Sequence, residues 1–387
     1  MPANNRMLER AVSDYLLWLI DTGYAKRTIY HYERMLNHFQ NFIGSGNDSL
    51  DAILSRDNII NYEKDCPLKN CTVSVWGLAR YLYQHGKLTR LPHRNQERLP
   101  ALYETYLYDY QKTGQISKQR ISGCRRILLL FSGWLAKEGI ILNKLRIEQV
   151  DCFLSQIIKS YARETMQHHR SLLRGFLHWL YQQNITSRNL SLLVTGPPQY
   201  AVTKPPHFLR SDEIKKLFAV SPVTPNEQRS WAMLHLAYYL GLRPVEISRI
   251  SLDDILFSKQ EIILPTRKSC NPISVPLPAA AIKAIADYVV SVRPESEKRE
   301  LFLKLRAPYE PIKSFSVCRC ITAWMHKADV PGSAYWLRHT YAQNLLEADA
   351  SIFEIKEMLG HDRIQTTSRY LRIHFTMMRE VLFNESI

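Results

Sequence analysis

Four side chains in the second half of this 387-residue chain have the types and spacing needed for chemistry at a phosphate group. Arg243 stands in Gly-Leu-Arg-Pro-Val-Glu, Arg338 in Leu-Arg-His-Thr, and His361 in Leu-Gly-His, with Tyr370 shortly after. Planar guanidinium groups match the geometry of phosphate oxygens, and a tyrosine hydroxyl can attack phosphorus when its proton is removed. Together these side chains could cut and rejoin a phosphodiester through a covalent phosphotyrosine.

The region that must position these residues, 208–387, is expected to fold as one catalytic domain. Two short apolar runs between residues 261 and 275 flank a polar turn, and this pattern predicts a β-hairpin. A helix is predicted to begin at Ser211, whose side chain would cap it. Helix is also predicted from Leu301 onward, apart from a turn at 330–332. The predicted fold class is therefore mainly α with a small antiparallel β-sheet.

The first half of the chain predicts two small all-helical modules, at residues 1–92 and 99–192, followed by a proline-containing linker at 193–207. In both modules apolar residues recur at helical spacing. The segment 81–90 resembles the segment 179–188, which indicates an internal duplication. Two further pairs match upstream: Leu54 with Leu145, and Ile59 with Val150.

Charge is the main compositional signal. The chain has 51 Lys and Arg against 36 Asp and Glu, for a net charge of +15. This excess favours a nucleic-acid partner, because neutralising phosphates releases condensed counterions. The first residues lack the apolar core of a signal peptide, and no uncharged apolar run is long enough to cross a membrane. We therefore expect a cytoplasmic, bacterial protein without membrane contact.

The cysteines and histidines do not predict a metal site. Two close pairs, Cys66 with Cys71 and Cys318 with Cys320, have no His or Cys partners at the spacing of zinc ligands, and we interpret the seven cysteines as reduced structural thiols. His168 and His169 are expected on an exposed helix face, without a carboxylate or cysteine at ligand spacing. The sequence therefore predicts neither a metal nor a cofactor.

The ordered motifs resemble those of the tyrosine recombinases, the phage-integrase family. Residues 237–247, Ala-Tyr-Tyr-Leu-Gly-Leu-Arg-Pro-Val-Glu-Ile, resemble the family's first box. Residues 337–340 and 359–361, with Tyr370, resemble its second. The resemblance is strong over 206–375. Before that, the helical modules resemble, more loosely, the family's N-terminal core-binding domain, here doubled.

This resemblance implies a role for each matching residue. Arg243 and Arg338 would hold the scissile phosphate, and Tyr370 would attack it to form a 3′-phosphotyrosine. His361 would donate a further hydrogen bond or assist proton movement. Lys268, in the predicted hairpin turn, would be the general acid that protonates the departing 5′-oxygen.

Two further residues accompany this set. Glu246 stands one helical turn after Arg243 and could orient its guanidinium. Tyr335 stands where the family usually has histidine, three residues before Arg338. A phenol can donate to a phosphate oxygen but accepts protons poorly at neutral pH. We therefore expect Tyr335 to be a hydrogen-bond donor on the phosphate side, with proton transfer left to the histidine and lysine named above.

The implied function is site-specific DNA recombination or integration in the service of a mobile element. The implied partner is double-stranded DNA, bound by a homotetramer on two DNA sites or by an assembly with related recombinases. The tail at 371–387 carries apolar residues that suit a contact with a neighbouring subunit.

Two alternative functions stay open at this point. A type IB topoisomerase uses a similar set of side chains but relaxes supercoiled DNA as a monomer. A catalytically weak DNA-binding accessory protein is the second alternative, and Tyr335 in place of histidine is the feature that favours it.

Overall fold

The computed structural model shows a predominantly helical chain with one three-stranded antiparallel sheet, which confirms the predicted fold class. None of the helices in the described ranges is long and apolar enough to span a membrane. The described residues are 5–44, 48–92, 99–114, 116–157, 161–196, 207–264, 273–360 and 367.

The strands are β1 (Ile255–Leu256), β2 (Glu261–Leu264) and β3 (Ile273–Pro276). The helices are α1 (Asn5–Asp21), α2 (Lys26–Ile43), α3 (Leu50–Ile53), α4 (Arg56–Asp65), α5 (Thr72–Gln84), α6 (Ala101–Lys112), α7 (Lys118–Lys137), α8 (Ile147–Ile157), α9 (Arg163–Gln182), α10 (Ser211–Ala219), α11 (Pro225–Leu240), α12 (Pro244–Ile247), α13 (Ala279–Ser291), α14 (Ser314–Lys327), α15 (Ala334–Glu347) and α16 (Ile352–Leu359).

The described residues form two compact units. One contains residues 99–196, and the other contains 5–92 together with 207–360. Buried apolar side chains gather into separate clusters in the first module, in the second module and around α11. The division into 1–92, 99–192, a linker at 193–207 and a catalytic domain at 208–387 stays our working interpretation.

The two N-terminal modules contain their helices in the same order. The first has α1, α2, the single-turn α3, α4 and α5; the second has α6, α7, a 3-10 turn at Leu142–Lys144, α8 and α9. α5 and α9 end alike: the N–H groups of Gly86 and Asn184 donate to the carbonyls of Tyr83 and Tyr181, and both residues have positive φ.

Corresponding positions in the two modules can be paired through their helix starts. The N–H groups of the first turns of α4 and α8 donate to the carbonyls of Ser55 and Arg146, respectively. Four residues before each of these lie Asp51 in the first module and Leu142 in the second. Position 51 of one module therefore corresponds to position 142 of the other.

The sheet contains the predicted hairpin and one strand that was not predicted. β2 and β3 pair antiparallel, with Ile262 opposite Val275, while β1 pairs with the other edge of β2. β1 is only two residues long, so it has too few positions to show the alternation that predicts a strand. Residues 265–272, which include Lys268 and the predicted turn, lie outside the described residues.

Three local predictions were wrong. Ser211 is the first residue of α10, and the extended residue before it, Arg210, is the N-cap, with its N–H donating to Glu213. Residues 301–313 are not helical; they follow an irregular, partly buried course in which Leu303 pairs with Pro311 at an isolated bridge. His169 is buried, with 7% of its surface exposed, because it lies on the face of α9 that carries the buried Leu172 and Leu173. Burial also lowers the pKa of His169.

A second histidine, His235, lies in the middle of α11 within an aromatic cluster. The rings of Phe218, Trp231 and Tyr239 lie within 6 Å of it, with centroid distances of 5.3, 4.5 and 5.5 Å. Neither ring nitrogen of His235 has a hydrogen-bond partner among the described residues. Desolvation lowers the pKa of His235 to about 4, so the ring is neutral in the folded chain near neutral pH.

Candidate active site

The first predicted arginine stands where α11 gives way to α12. α11 ends at Gly241, in the left-handed conformation with φ of 59°, and Arg243 is the residue just before α12. The Glu246 carboxylate accepts one hydrogen bond from the Arg243 main-chain N–H at 2.7 Å and another from its Nη1 at 2.8 Å. Glu246 therefore fixes both the start of α12 and the direction of the guanidinium.

The second predicted arginine reaches the same point from α15. Arg338 is 3% exposed, and its Nη1 and Nη2 donate to the carbonyls of Gly241 at 2.6 Å and Leu359 at 2.5 Å. An oxygen of Glu246 lies 3.9 Å from Nη1. A buried cation is costly unless acceptors surround it, and here two carbonyls and a carboxylate supply them.

The third element is the C-terminal end of α16, which holds both arginines through its main chain. The Leu359 carbonyl that binds Arg338 also accepts a hydrogen bond from Nη1 of Arg243 at 3.4 Å. The Gly360 carbonyl accepts one from Nη2 of Arg243 at 3.2 Å. The last carbonyls of a helix lack intrahelical partners and carry partial negative charge, so they attract cations. The ends of α11 and α16 and the middle of α15 thus converge on one pair of guanidiniums.

Close packing beside this pair leaves room only for glycine at position 241. A Cβ atom placed on Gly241 would lie 2.4 Å from Cδ1 of Tyr341, which is well inside van der Waals contact. The positive φ of Gly241 also favours glycine. The Gly241 carbonyl can therefore approach Arg338 because no side chain separates α11 from α15.

Tyr335 is one helical turn before Arg338 but has a very different environment. Tyr335 is 51% exposed in the first turn of α15, while Arg338 is buried below it. The side chain of Arg243 is 31% exposed. Of these three side chains, Tyr335 and Arg243 have the larger exposed surfaces.

The structure brings together three of the predicted site residues and describes a fourth beside them. Arg243, Glu246 and Arg338 are in direct contact, and Tyr335 lies on the same helix as Arg338. The other predicted site residues lie outside the described residues: Lys268, His361 and Tyr370.

Sequence reasoning missed the main-chain acceptors of the two arginines. The carbonyls of Gly241, Leu359 and Gly360 hold the guanidiniums, although no side-chain motif marks a carbonyl. One signal was available: Leu-Gly before His361 is typical of a helix C-terminus, and the structure confirms Gly360 as the left-handed cap of α16. A helix end implies free carbonyls, which could have been matched to nearby cations.

Two family models match this chain. The phage integrase family model covers residues 207–377, and the model of the phage integrase N-terminal SAM-like domain covers residues 103–184. The chain belongs to the tyrosine recombinase family. Members of this family cut and rejoin DNA strands, and the chain is a tyrosine recombinase rather than a type IB topoisomerase or an accessory protein.

Individual relatives of this recombinase are similar over most of their length. The tyrosine recombinase XerC of Bacillus pumilus is 28% identical over 296 residues, covering 74% of this chain and 95% of the relative. The tyrosine recombinase XerD of Rickettsia bellii is 26% identical over 290 residues, covering 70% and 94%. In fold, the chain is similar to the XerH site-specific recombinase, solved on a palindromic difH substrate, with a TM-score of 0.58 and 15% identity over 97% of this chain and 95% of that one.

Proposed function

We propose that this recombinase exchanges DNA strands at specific sites through a covalent bond to Tyr370. The observation that carries this proposal is the convergence of Arg243 and Arg338 on the end of α16. The chain continues from that helix end directly into His361 and then to Tyr370. The two proposed phosphate-binding side chains therefore contact the main chain that leads directly to the proposed nucleophile.

The proposed reaction conserves the number of phosphoester bonds. The Tyr370 oxygen attacks phosphorus, the bond to the 5′-oxygen breaks, and a 3′-phosphotyrosine forms. Lys268 supplies the proton that the departing 5′-oxygen takes up. A 5′-hydroxyl from another strand then attacks the phosphotyrosine and releases Tyr370, so the exchange requires no ATP.

Arg243 and Arg338 would stabilise the negative charge that develops on the non-bridging oxygens. A guanidinium has five N–H donors, and the contacts of Arg243 to Glu246 and to the carbonyls of Leu359 and Gly360 leave others for phosphate. Because Arg243 is the more exposed of the pair, we assign it the first contact with DNA. Glu246 and the carbonyls would keep both planes oriented before the phosphate arrives, which limits reorganisation during the reaction.

Tyr335 would contribute a hydrogen bond to a phosphate oxygen from the solvent-facing side of α15. Its exposure in the described structure supports this role, because about half of the side chain faces solvent. His361 would supply a further donor or help move the proton of Tyr370. The phosphate would then meet cationic or polar donors from several separate segments of the chain.

The assigned partner is double-stranded DNA, in keeping with the net charge of +15 and with the DNA-bound XerH recombinase of similar fold. We further propose a homotetramer on two DNA sites, or an assembly with related recombinases, in which the tail at 371–387 contacts a neighbouring subunit. The biological setting proposed is the bacterial cytoplasm, where the protein serves a mobile element.

Covalent trapping tests the proposal. The full chain is incubated in EDTA with nicked suicide duplexes that span the flanks of its own gene, and the products are denatured. We expect a DNA adduct that peptide mass spectrometry places on Tyr370. Tyr370→Phe should abolish the adduct, while the matched control Tyr108→Phe, at a tyrosine 59% exposed on α6, should retain it. An adduct that survives Tyr370→Phe would refute the assignment of the nucleophile.

A further inference from the structure

A cavity of about 620 Å³ lies in the second N-terminal module. It opens between the start of α8 and the segment that follows α9. Three basic residues line it, Lys144, Arg146 and Arg188, against one carboxylate, Glu148. The positive end of the α8 dipole adds to the same field, because Ile147 and Glu148, the first residues of that helix, line the cavity.

A buried hydroxyl on the wall of this cavity lacks a partner. Thr186 is 4% exposed, and its Oγ1 has no hydrogen-bond partner among the described residues. Buried polar side-chain atoms nearly always have one, so an unpaired hydroxyl on a cavity wall indicates a place for a ligand oxygen or water. Ser187, the next residue, also lines the cavity.

The first module shows what the corresponding donors bind. Thr89 corresponds to Ser187, because the two residues follow the matched ends of α5 and α9 at the same distance. Thr89 donates from its main-chain N–H at 3.0 Å and from its Oγ1 at 2.8 Å, both to one oxygen of Asp51. In the second module the position of Asp51 is taken by Leu142, so this carboxylate is missing.

Two of the three basic residues follow the same contrast, while Arg188 corresponds to Arg90. The positions that correspond to Lys144 and Arg146 are Ile53 and Ser55 in the first module. The first module thus places an internal anion beside these donors, whereas the second removes the anion and adds cations. The charge of the second site is complementary to an anion that comes from outside the chain.

We propose that this cavity binds a phosphate group, with one phosphate oxygen in the place that the Asp51 carboxylate takes in the first module. Ser187 and Thr186 donate from the wall, and Arg188, Arg146 and Lys144 balance the charge. The group is either a phosphodiester of duplex DNA or a free phosphate. The site needs no cleavage at Tyr370, so it can be tested apart from the proposed reaction.

The first test is a calorimetric titration of the full chain with inorganic phosphate at constant ionic strength. We expect saturable binding that weakens by about tenfold in Arg188→Gln and in Thr186→Val. Arg90→Gln, the matched change in the first module, should leave it unchanged. Leu142→Asp, which supplies the missing carboxylate, should abolish phosphate binding; Leu142→Asn is its uncharged control.

The second test distinguishes the two sources of the phosphate. Duplex binding is measured against salt concentration for the wild type and for Arg188→Gln. A slope of log K against log salt that falls by about one in the variant assigns the site to a DNA phosphate. An unchanged slope, combined with the loss of phosphate binding, assigns it to a free anion. The proposal is overturned if the slope is unchanged and inorganic phosphate does not bind. It is also overturned if the slope is unchanged and phosphate binds equally to all variants.

Discussion

Arg338 and Tyr335 lie one helical turn apart, yet they differ in exposure and in the number of contacts they make. Arg338 is buried and donates to two carbonyls, whereas Tyr335 faces solvent. We expect Tyr335→Phe to slow cleavage by roughly tenfold, the usual effect of one hydrogen bond to a charged group. Arg338→Ala should slow it by about a hundredfold or more, since it removes a charge that stabilises the transition state.

Rates of covalent adduct formation under single-turnover conditions measure both effects. Arg338→Lys is the informative control, because it keeps the charge but loses the planar fork. We expect it to remain closer to Arg338→Ala than to the wild type. Equal losses in Tyr335→Phe and Arg338→Ala would contradict the proposed division of roles.

His235 gives a prediction on pH and stability. Its folded pKa of about 4 lies below the ordinary value of 6.5, so the unfolded chain binds the proton more readily. The neutral ring contributes its full stability above about pH 6.5, and that stability is lost as the pH falls toward 4. The loss amounts to about 3 kcal/mol in the free energy of unfolding.

Urea unfolding of the wild type and of His235→Phe between pH 4 and 7.5 measures this contribution. The phenyl ring suits the aromatic surroundings and cannot be protonated, so the variant should lose less stability in acid. The difference between the two curves isolates His235 from other groups that titrate in this range. Parallel curves would show that His235 is already protonated, or solvated, in the folded chain.

Among the elements, the junction of α11 and α12 depends most on a single residue. Gly241→Ala places a Cβ 2.4 Å from Tyr341 in a backbone conformation that disfavours alanine. We expect a loss of about 2–4 kcal/mol in the free energy of unfolding, from strain and overpacking together.

Gly133→Ala is the matched control: that glycine lies within α7 with no atom within 4 Å of an added Cβ. It should stabilise by about 0.5–1 kcal/mol. Chemical denaturation of both variants tests this, and wild-type stability in Gly241→Ala would contradict the observed packing.

The elements also show how much could be predicted from the sequence. The hairpin and the cap at Gly360 were predictable because alternation and Leu-Gly are local signals. The course of 301–313 was not, because its buried residues are apolar without a regular period and because a distant residue contributes to it: the N–H of Leu301 donates to the carbonyl of Ile250. His169 was assigned to an exposed face because its sequence neighbours are polar, although the helix turns it toward the core.

The same limit applies to the candidate site. Residue types and spacing were enough to select Arg243, Glu246 and Arg338, which the structure brings into contact. They could not reveal that main-chain oxygens of α11 and α16 hold the two arginines. Such contacts depend on where helix ends lie in space. Many different sequences can place a carbonyl at the same point, so no residue pattern marks it.

At the scale of the whole molecule, residues 99–196 are expected to fold without the remainder of the chain. They form a compact unit with its own buried cluster, which includes Phe131, Phe153 and Phe176, all fully buried. A fragment of these residues should melt in one cooperative transition, followed by circular dichroism. Phe131→Ala should lower its free energy of unfolding by about 3–5 kcal/mol. A fragment that melts gradually, without a defined midpoint, would show that this unit depends on the rest of the protein.

The carbonyls that hold the arginine pair also bear on which mutations the recombinase can tolerate. A main-chain oxygen is present whatever amino acid occupies a position, so the hold on Arg243 and Arg338 does not depend on side-chain identity at residue 359. That residue is constrained by packing alone, and another apolar side chain of similar volume should leave the guanidiniums in place. Gly360 has no such freedom, because its left-handed φ of 60° directs the carbonyl. We therefore expect several apolar amino acids to be tolerated at position 359, but almost none other than glycine at position 360.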